Sequence, residues 1–167
     1  MTDINQELSK AVFNDDAELI NKLISEGADV NGVRRVGVWG ETPPLMKAVY
    51  RGKYSTVRAL VEYGADVNRT FLGYTHLHVA ATYGRKDVVG LLVCSGADID
   101  AMNRRQETAL HAAAKACYED VYNFLIERGA RTNIECAIFG LASECLRLAK
   151  IAKENNGGVW PPVYDKK

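Results

Sequence analysis

Apolar positions recur along this chain in blocks, each block carrying the same stripe. Ile20, Val57, Val89 and Tyr122 head four such stripes. Leu23, Leu60, Leu92 and Leu125 follow three residues later, then Ile24, Val61, Val93 and Ile126. Spacing by three and by one places each trio on one face of a helix, with polar residues on the other faces. An alanine column, Ala11, Ala48, Ala80 and Ala113, marks a preceding helix in each block. Small side chains there predict close approach between helices of neighbouring blocks. The pattern therefore predicts four helix pairs.

The polar phrases between the stripes repeat as well. Leu-x-x-x-Gly-Ala-Asp begins at Leu23, Leu60 and Leu92, and a decayed copy, Leu125 to Arg131, ends in Gly-Ala-Arg. The glycines Gly27, Gly64, Gly96 and Gly129 are 37, 32 and 33 residues apart. A fixed period of this size is the mark of a stacked-repeat solenoid, in which no unit buries its apolar face alone. Each of these glycines falls just past an apolar helix, where a left-handed cap is expected.

A second phrase precedes two of the helix pairs: Tyr74-Thr75-His76-Leu77-His78-Val79-Ala80 and Glu107-Thr108-Ala109-Leu110-His111-Ala112-Ala113. Thr-x-Leu-His-x-Ala, followed at a matched offset by Gly-Ala-Asp-x-Asn, resembles the ankyrin repeat. The resemblance runs from about Leu8 to Asn155. It implies an all-α ankyrin-repeat solenoid: four helix-pair repeats, a C-terminal half-repeat cap, and finger loops projecting between repeats. It also implies that Thr75, His78, Thr108 and His111 fix turns by hydrogen bonding.

The array is expected over residues 1–155, with a tail at 156–167. Several positions depart from the family phrase. Pro43 and Met46 take the Thr and His columns in repeat 2, and Cys117 replaces the glycine held by Gly52 and Gly84. The finger from Gly32 to Glu41 is longer than the next one. Another long finger, Ile134 to Ser143, is expected to lead into a cap helix at Leu146 to Ala149, aligned with Leu110 to Ala113. Asp3-x-x-Gln6 is a capping-box variant at the start of repeat 1.

Composition narrows the function. The chain has 167 residues and 21 basic against 21 acidic side chains, so nothing pulls it globally toward nucleic acid. No apolar run reaches the roughly 20 residues of a membrane helix, and Met1 to Glu7 lacks a secretory pattern. Cys94, Cys117, Cys136 and Cys145 show no Cys-x-x-Cys pairing, which favours reduced thiols in cytoplasm or nucleus. No metal-ligand spacing, nucleophile elbow or phosphate loop is present, and neither cofactor nor metal is expected. Asp98 and Asp100 belong to a turn phrase rather than a calcium loop.

The resemblance places partner contacts on the finger loops and late first-helix positions. Those positions hold Phe13, Arg34, Arg35, Trp39, Tyr50, Arg51, Phe71, Leu72, Tyr74, Tyr83, Arg104, Arg105 and Lys115. Aromatic residues and arginine dominate interface energetics. First helices and fingers are richer in basic than acidic residues, so an acidic segment of a protein partner is the expected ligand. The chain is expected to be a monomer and a non-catalytic interaction module. A second reading is an adaptor for ubiquitin ligation. Pro161-Pro162-Val163-Tyr164 matches the Pro-Pro-x-Tyr ligand of WW domains. Asn31 and Asn68 lie in Leu-x-x-x-x-x-Asp-Val-Asn, which looks like the ankyrin sequence modified by an oxygen-sensing asparaginyl hydroxylase. Asn133 lacks the Asp and Val.

Overall fold

The computed structural model describes residues 3–32, 42–136, 140–147 and 150. Helices come in antiparallel pairs: α1 (Ile4–Asn14) with α2 (Ala17–Ser25), then α3 (Pro44–Arg51) with α4 (Tyr54–Glu62). A two-residue hairpin follows, β1 (Thr70–Phe71) with β2 (Tyr74–Thr75), before α5 (His76–Thr82) and α6 (Lys86–Cys94). The last pair is α7 (Ala109–Lys115) and α8 (Glu119–Glu127), followed by β3 (Glu135–Cys136) pairing antiparallel with β4 (Gly140–Leu141). A further helical stretch covers residues 142–147. Helix length suits the role: seven to eleven residues is too short to be stable alone, so neighbour packing supplies the stability.

That packing uses the repeated columns. Ala11, Ala48, Ala80 and Ala113 are all buried, as are Leu23, Leu60, Leu92 and Leu125, in one continuous core. The Ile24, Val61 and Val93 column is half-buried, and Ile126 at its end is exposed. Isoleucine at 126 thus adds little to the stripe among the described residues.

Helix starts follow local chemistry. Asp3 caps α1 by accepting from Asn5 N at 3.0 Å, and Asp16 caps α2 by accepting from Leu19 N at 3.0 Å. In α5, Thr75 and His78 bond reciprocally, with Thr75 Oγ1 2.8 Å from His78 Nδ1. The far nitrogen, His78 Nε2, donates to Glu107 O of the next repeat at 2.7 Å. His111 repeats this, with Nδ1 2.9 Å from Thr108 Oγ1 and Nε2 donating to Gly140 O at 3.1 Å. A carbonyl only accepts, so both rings carry their proton on Nε2. The two histidines are ties between repeats. Repeat 2 has no such cap at Pro43; Pro44 opens α3 with its preset φ instead.

The corner between paired helices is left-handed in every repeat. Gly52 and Gly84 adopt φ of 67° and 64°, but Asp15 and Cys117 adopt the same conformation at 60° and 57°. Asp15 is therefore a corner residue, ahead of the second helix. Its carboxylate accepts from Thr56 Oγ1 at 2.6 Å and pairs with Lys53 at 3.2 Å, joining repeats 1 and 2. The Thr56 hydrogen bond is the largest influence holding its carboxyl below the usual range; Lys53 adds to this, against burial.

The C-terminal cap starts earlier than its sequence alignment suggests. The helical stretch begins at 142, and Ala142 and Cys145 are its buried residues, while Leu146 packs only partly against the core. Pairing of β3 with β4, and the His111 bond to Gly140 O, draw the finger in before Ser143.

Candidate interaction surface

The described part of the expected contact surface comprises the finger between repeats 2 and 3, the finger between repeats 3 and 4, and the ends of the first helices. The finger between repeats 2 and 3 is a tight hairpin whose turn is Leu72-Gly73, at φ 52° and 84°. Two consecutive positive φ values describe a type I′ turn, which usually holds Asn-Gly because other residues are strained there. Leu72 is nevertheless 64% exposed at the tip, so it gains no packing in return. Phe71 and Tyr74, which the sequence grouped with it, are half-buried and pack against the core. Arg104 of the next finger lies across Gly73, where a side chain at 73 would collide with its Cγ. Arg104 and Arg105 are exposed beside that hairpin.

The late first-helix positions form a second group. Arg51 stacks over the Phe13 ring, 4.4 Å from its centroid, and Tyr50 meets Tyr83 edge to face at 4.9 Å. Phe13 and Tyr50 stay exposed, and Tyr83 is half-buried. Burial, and then the Tyr50 hydrogen bond, push the Tyr83 phenol up to about 12. The structure thus brings together four of the residues marked by sequence into one aromatic and cationic row.

Lys115 does not join it. Its side chain is 6% exposed and its Nζ lies 2.6 Å from Glu107 Oε1, itself 4% exposed. Asn103 completes the cluster: its Nδ2 donates to Glu107 Oε2 at 3.0 Å and its Oδ1 accepts from Glu107 N and Arg105 N. Burial pushes the Glu107 carboxyl up, but bonds from Lys115 and Asn103 outweigh it and the net direction is down. Lys115 is an internal brace that holds the Arg104-Arg105 finger. Only tertiary contact could reveal this, since Glu107 and Lys115 are eight residues apart on different elements.

Arg34, Arg35 and Trp39, and the tail residues Pro161, Pro162 and Tyr164, lie outside the described residues. Asn31 and Asn68 bridge repeats. Asn31 donates from Nδ2 to Gly64 O at 3.2 Å and accepts from Asp66 N at 2.9 Å. Asn68 does the same with Gly96 O and Asp98 N, at 3.0 and 2.8 Å. Asn5 starts this ladder by accepting from Asp29 N at 2.7 Å. Its last rung swaps chemistry: Asp100 Oδ1 accepts from Arg131 N at 2.9 Å and Oδ2 accepts from Arg131 Nε at 2.8 Å. The decay of Gly-Ala-Asp to Gly-Ala-Arg is thus matched by Asp100 standing where Asn31 and Asn68 stand.

Family models for ankyrin repeats match residues 8–103 as three copies and residues 105–137 as a further repeat. This chain belongs to the ankyrin repeat family. It is 35% identical to alpha-latroinsectotoxin-Lt1a of Latrodectus tredecimguttatus over 71% of its own length and 8% of that protein. It is 38% identical to the NF-kappa-B inhibitor cactus of Drosophila melanogaster over 42% of its length and 14% of that protein. It is 32% identical to E3 ubiquitin-protein ligase KEG of Arabidopsis thaliana, over 68% of its length and 7% of that protein. The chain spans a small fraction of each of these relatives. Ankyrin repeats are protein-interaction modules. Among the described residues no helix is long and apolar enough to cross a membrane, and no three His, Cys, Asp or Glu residues gather as a metal site.

Proposed function

We propose that this protein is a non-catalytic module that binds an acidic segment of a partner protein along the face made by its fingers and first-helix ends. The observation that carries this is the row of exposed Phe13 and Tyr50 with half-buried Arg51, together with the exposed Leu72, Arg104 and Arg105 on the fingers. Exposed aromatics and a strained exposed leucine have no folding role that explains them, and contiguous apolar surface marks a docking face. The NF-kappa-B inhibitor named above is a relative whose name describes inhibition of another protein, which suits this reading. Affinity capture from cell extract, comparing wild type with an L72A/R104A/R105A variant, tests it. The variant should lose the captured partner while its Tm stays within about 2 °C, as surface changes of this kind have small effects on stability. Undiminished capture would overturn the assignment of this face. The adaptor reading rests on the Pro-Pro-x-Tyr tail alone.

A further inference from the structure

The basic side chains of this face differ in what compensates them. Lys10 pairs with Glu7 at 3.0 Å, Lys115 is neutralised by Glu107, and the Arg69 guanidinium donates to Asn31 O. Lys47 is different. It is 5% exposed, and among the described residues its Nζ reaches the hydroxyl of Ser9, at 3.4 Å. No carboxylate among the described residues pairs with it. Burial accordingly pushes the Lys47 ammonium down. Arg51 follows one turn later on α3, so both side chains leave the same helix face. Its Nε is buried with no hydrogen-bond partner among the described residues. Asp15 acts on Arg51 electrostatically, but its oxygens are already held by Thr56 and Lys53.

Two rungs between α1 and α3 hold these cations in place: Ser9 against Lys47, and the Phe13 ring beneath Arg51. Taking the corner residues as register, the Lys47 position holds Lys10, Val79 and Ala112, and the Arg51 position holds Asn14, Tyr83 and Ala116; Lys10, the one other cation in the set, pairs with Glu7. A buried cation without a counter-ion is costly, and one partner removes most of that cost.

We propose that Lys47 and Arg51 form a carboxylate-binding subsite between α1 and α3 that takes an Asp or Glu side chain of the bound protein segment. This rests on the interaction face assigned above and adds where its anchoring acid goes. One carboxylate supplies two acceptor oxygens, one for Lys47 Nζ and one for Arg51 Nε.

The test uses a fluorescein-labelled hexaglutamate peptide, with hexaglutamine as control, and protein labelled with 15N at lysine Nζ. Hexaglutamate should bind, and the Lys47 ammonium titration should move to higher pH in its presence. K47M should weaken binding about tenfold or more and stay folded, because an apolar side chain suits that buried position. Equal affinity of K47M and wild type would overturn the subsite, as would no hexaglutamate binding to wild type. Competition by inorganic phosphate at lower concentration than acetate would overturn the carboxylate assignment. The capture experiment separates the two ideas: partner lost by the finger variant but kept by K47M and by R51M rejects the subsite alone.

Discussion

His76 occupies the first position of α5, where the family phrase has proline, and its Nδ1 donates to Val67 O at 3.0 Å. Its Nε2 is buried without a partner among the described residues. Burial is the main cause that lowers this imidazole from 6.5 to about 4, and burial lowers His78 and His111 as well. The unfolded chain protonates near 6.5 while the folded one stays neutral. Stability is therefore complete above pH 6.5 and is lost as pH falls toward 4. For His76 the whole window is worth about 3 kcal/mol. Urea unfolding at pH 7 and pH 5 should show lower stability at pH 5, and H76P should reduce that difference. Leu72 is the other residue under stress. L72N restores the Asn-Gly pair that a type I′ turn prefers and should add about 1 kcal/mol, raising Tm by about 2–4 °C. The same change should weaken partner capture, since it removes the apolar tip. A Tm that does not rise in thermal denaturation would mean the hairpin absorbs the strain elsewhere. At Asn31 and Asn68 we propose hydroxylation by an asparaginyl hydroxylase, while Asn133 is spared; peptide mass analysis after incubation with that enzyme decides it.

Among the elements, the third finger depends on a buried polar brace. Asn103, Glu107 and Lys115 satisfy one another between the finger and the end of α7, and Glu107 O also receives His78 Nε2 from the preceding repeat. K115M leaves the Glu107 carboxylate buried beside only Asn103 and should cost about 3–5 kcal/mol in chemical denaturation. The K115M/E107L double variant should recover much of that loss, because no charge is then stranded. If the two single effects simply add, the ion pair is not the coupling element. The sequence made Lys115 a contact residue because the late first-helix column is exposed in other repeats. It missed the brace because Glu107 and Lys115 meet only when the finger folds back on the helix.

At the scale of the whole array, stability is a sum of repeat and interface terms, so the links between repeats decide where it opens. The side-chain ladder Asn5, Asn31, Asn68 and Asp100 runs through all four repeats. D100A removes its final rung and should speed amide exchange in residues 109–136, leaving 44–94 unchanged. Exchange that rises evenly over the chain would show that the array opens as one unit instead. Lys150 adds a further tie to α8, with its Nζ 2.8 Å from Glu119 Oε1. At this end an ion pair replaces the amide rungs of the side-chain ladder, and high salt should therefore loosen it first.

The repeat number, the helix pairs, their buried columns and the left-handed ends of the second helices were all legible in the sequence. Each depends on spacing within one repeat, and the repeat is written four times. The histidine ties were legible through the family phrase. Other features required the stacked structure. Cys117 and Asp15 keep the left-handed corner despite having side chains, because the stacked helices on either side hold it. The cap helix starts at 142 because hairpin pairing sets it, not the apolar pattern around Leu146. Whether a cation is free or neutralised was also undecided by spacing. Lys10, Lys47, Arg51 and Lys115 look alike in the sequence, but their partners come from other turns and other repeats. Stacking neutralises Lys115 with Glu107 and leaves Lys47 buried beside a hydroxyl.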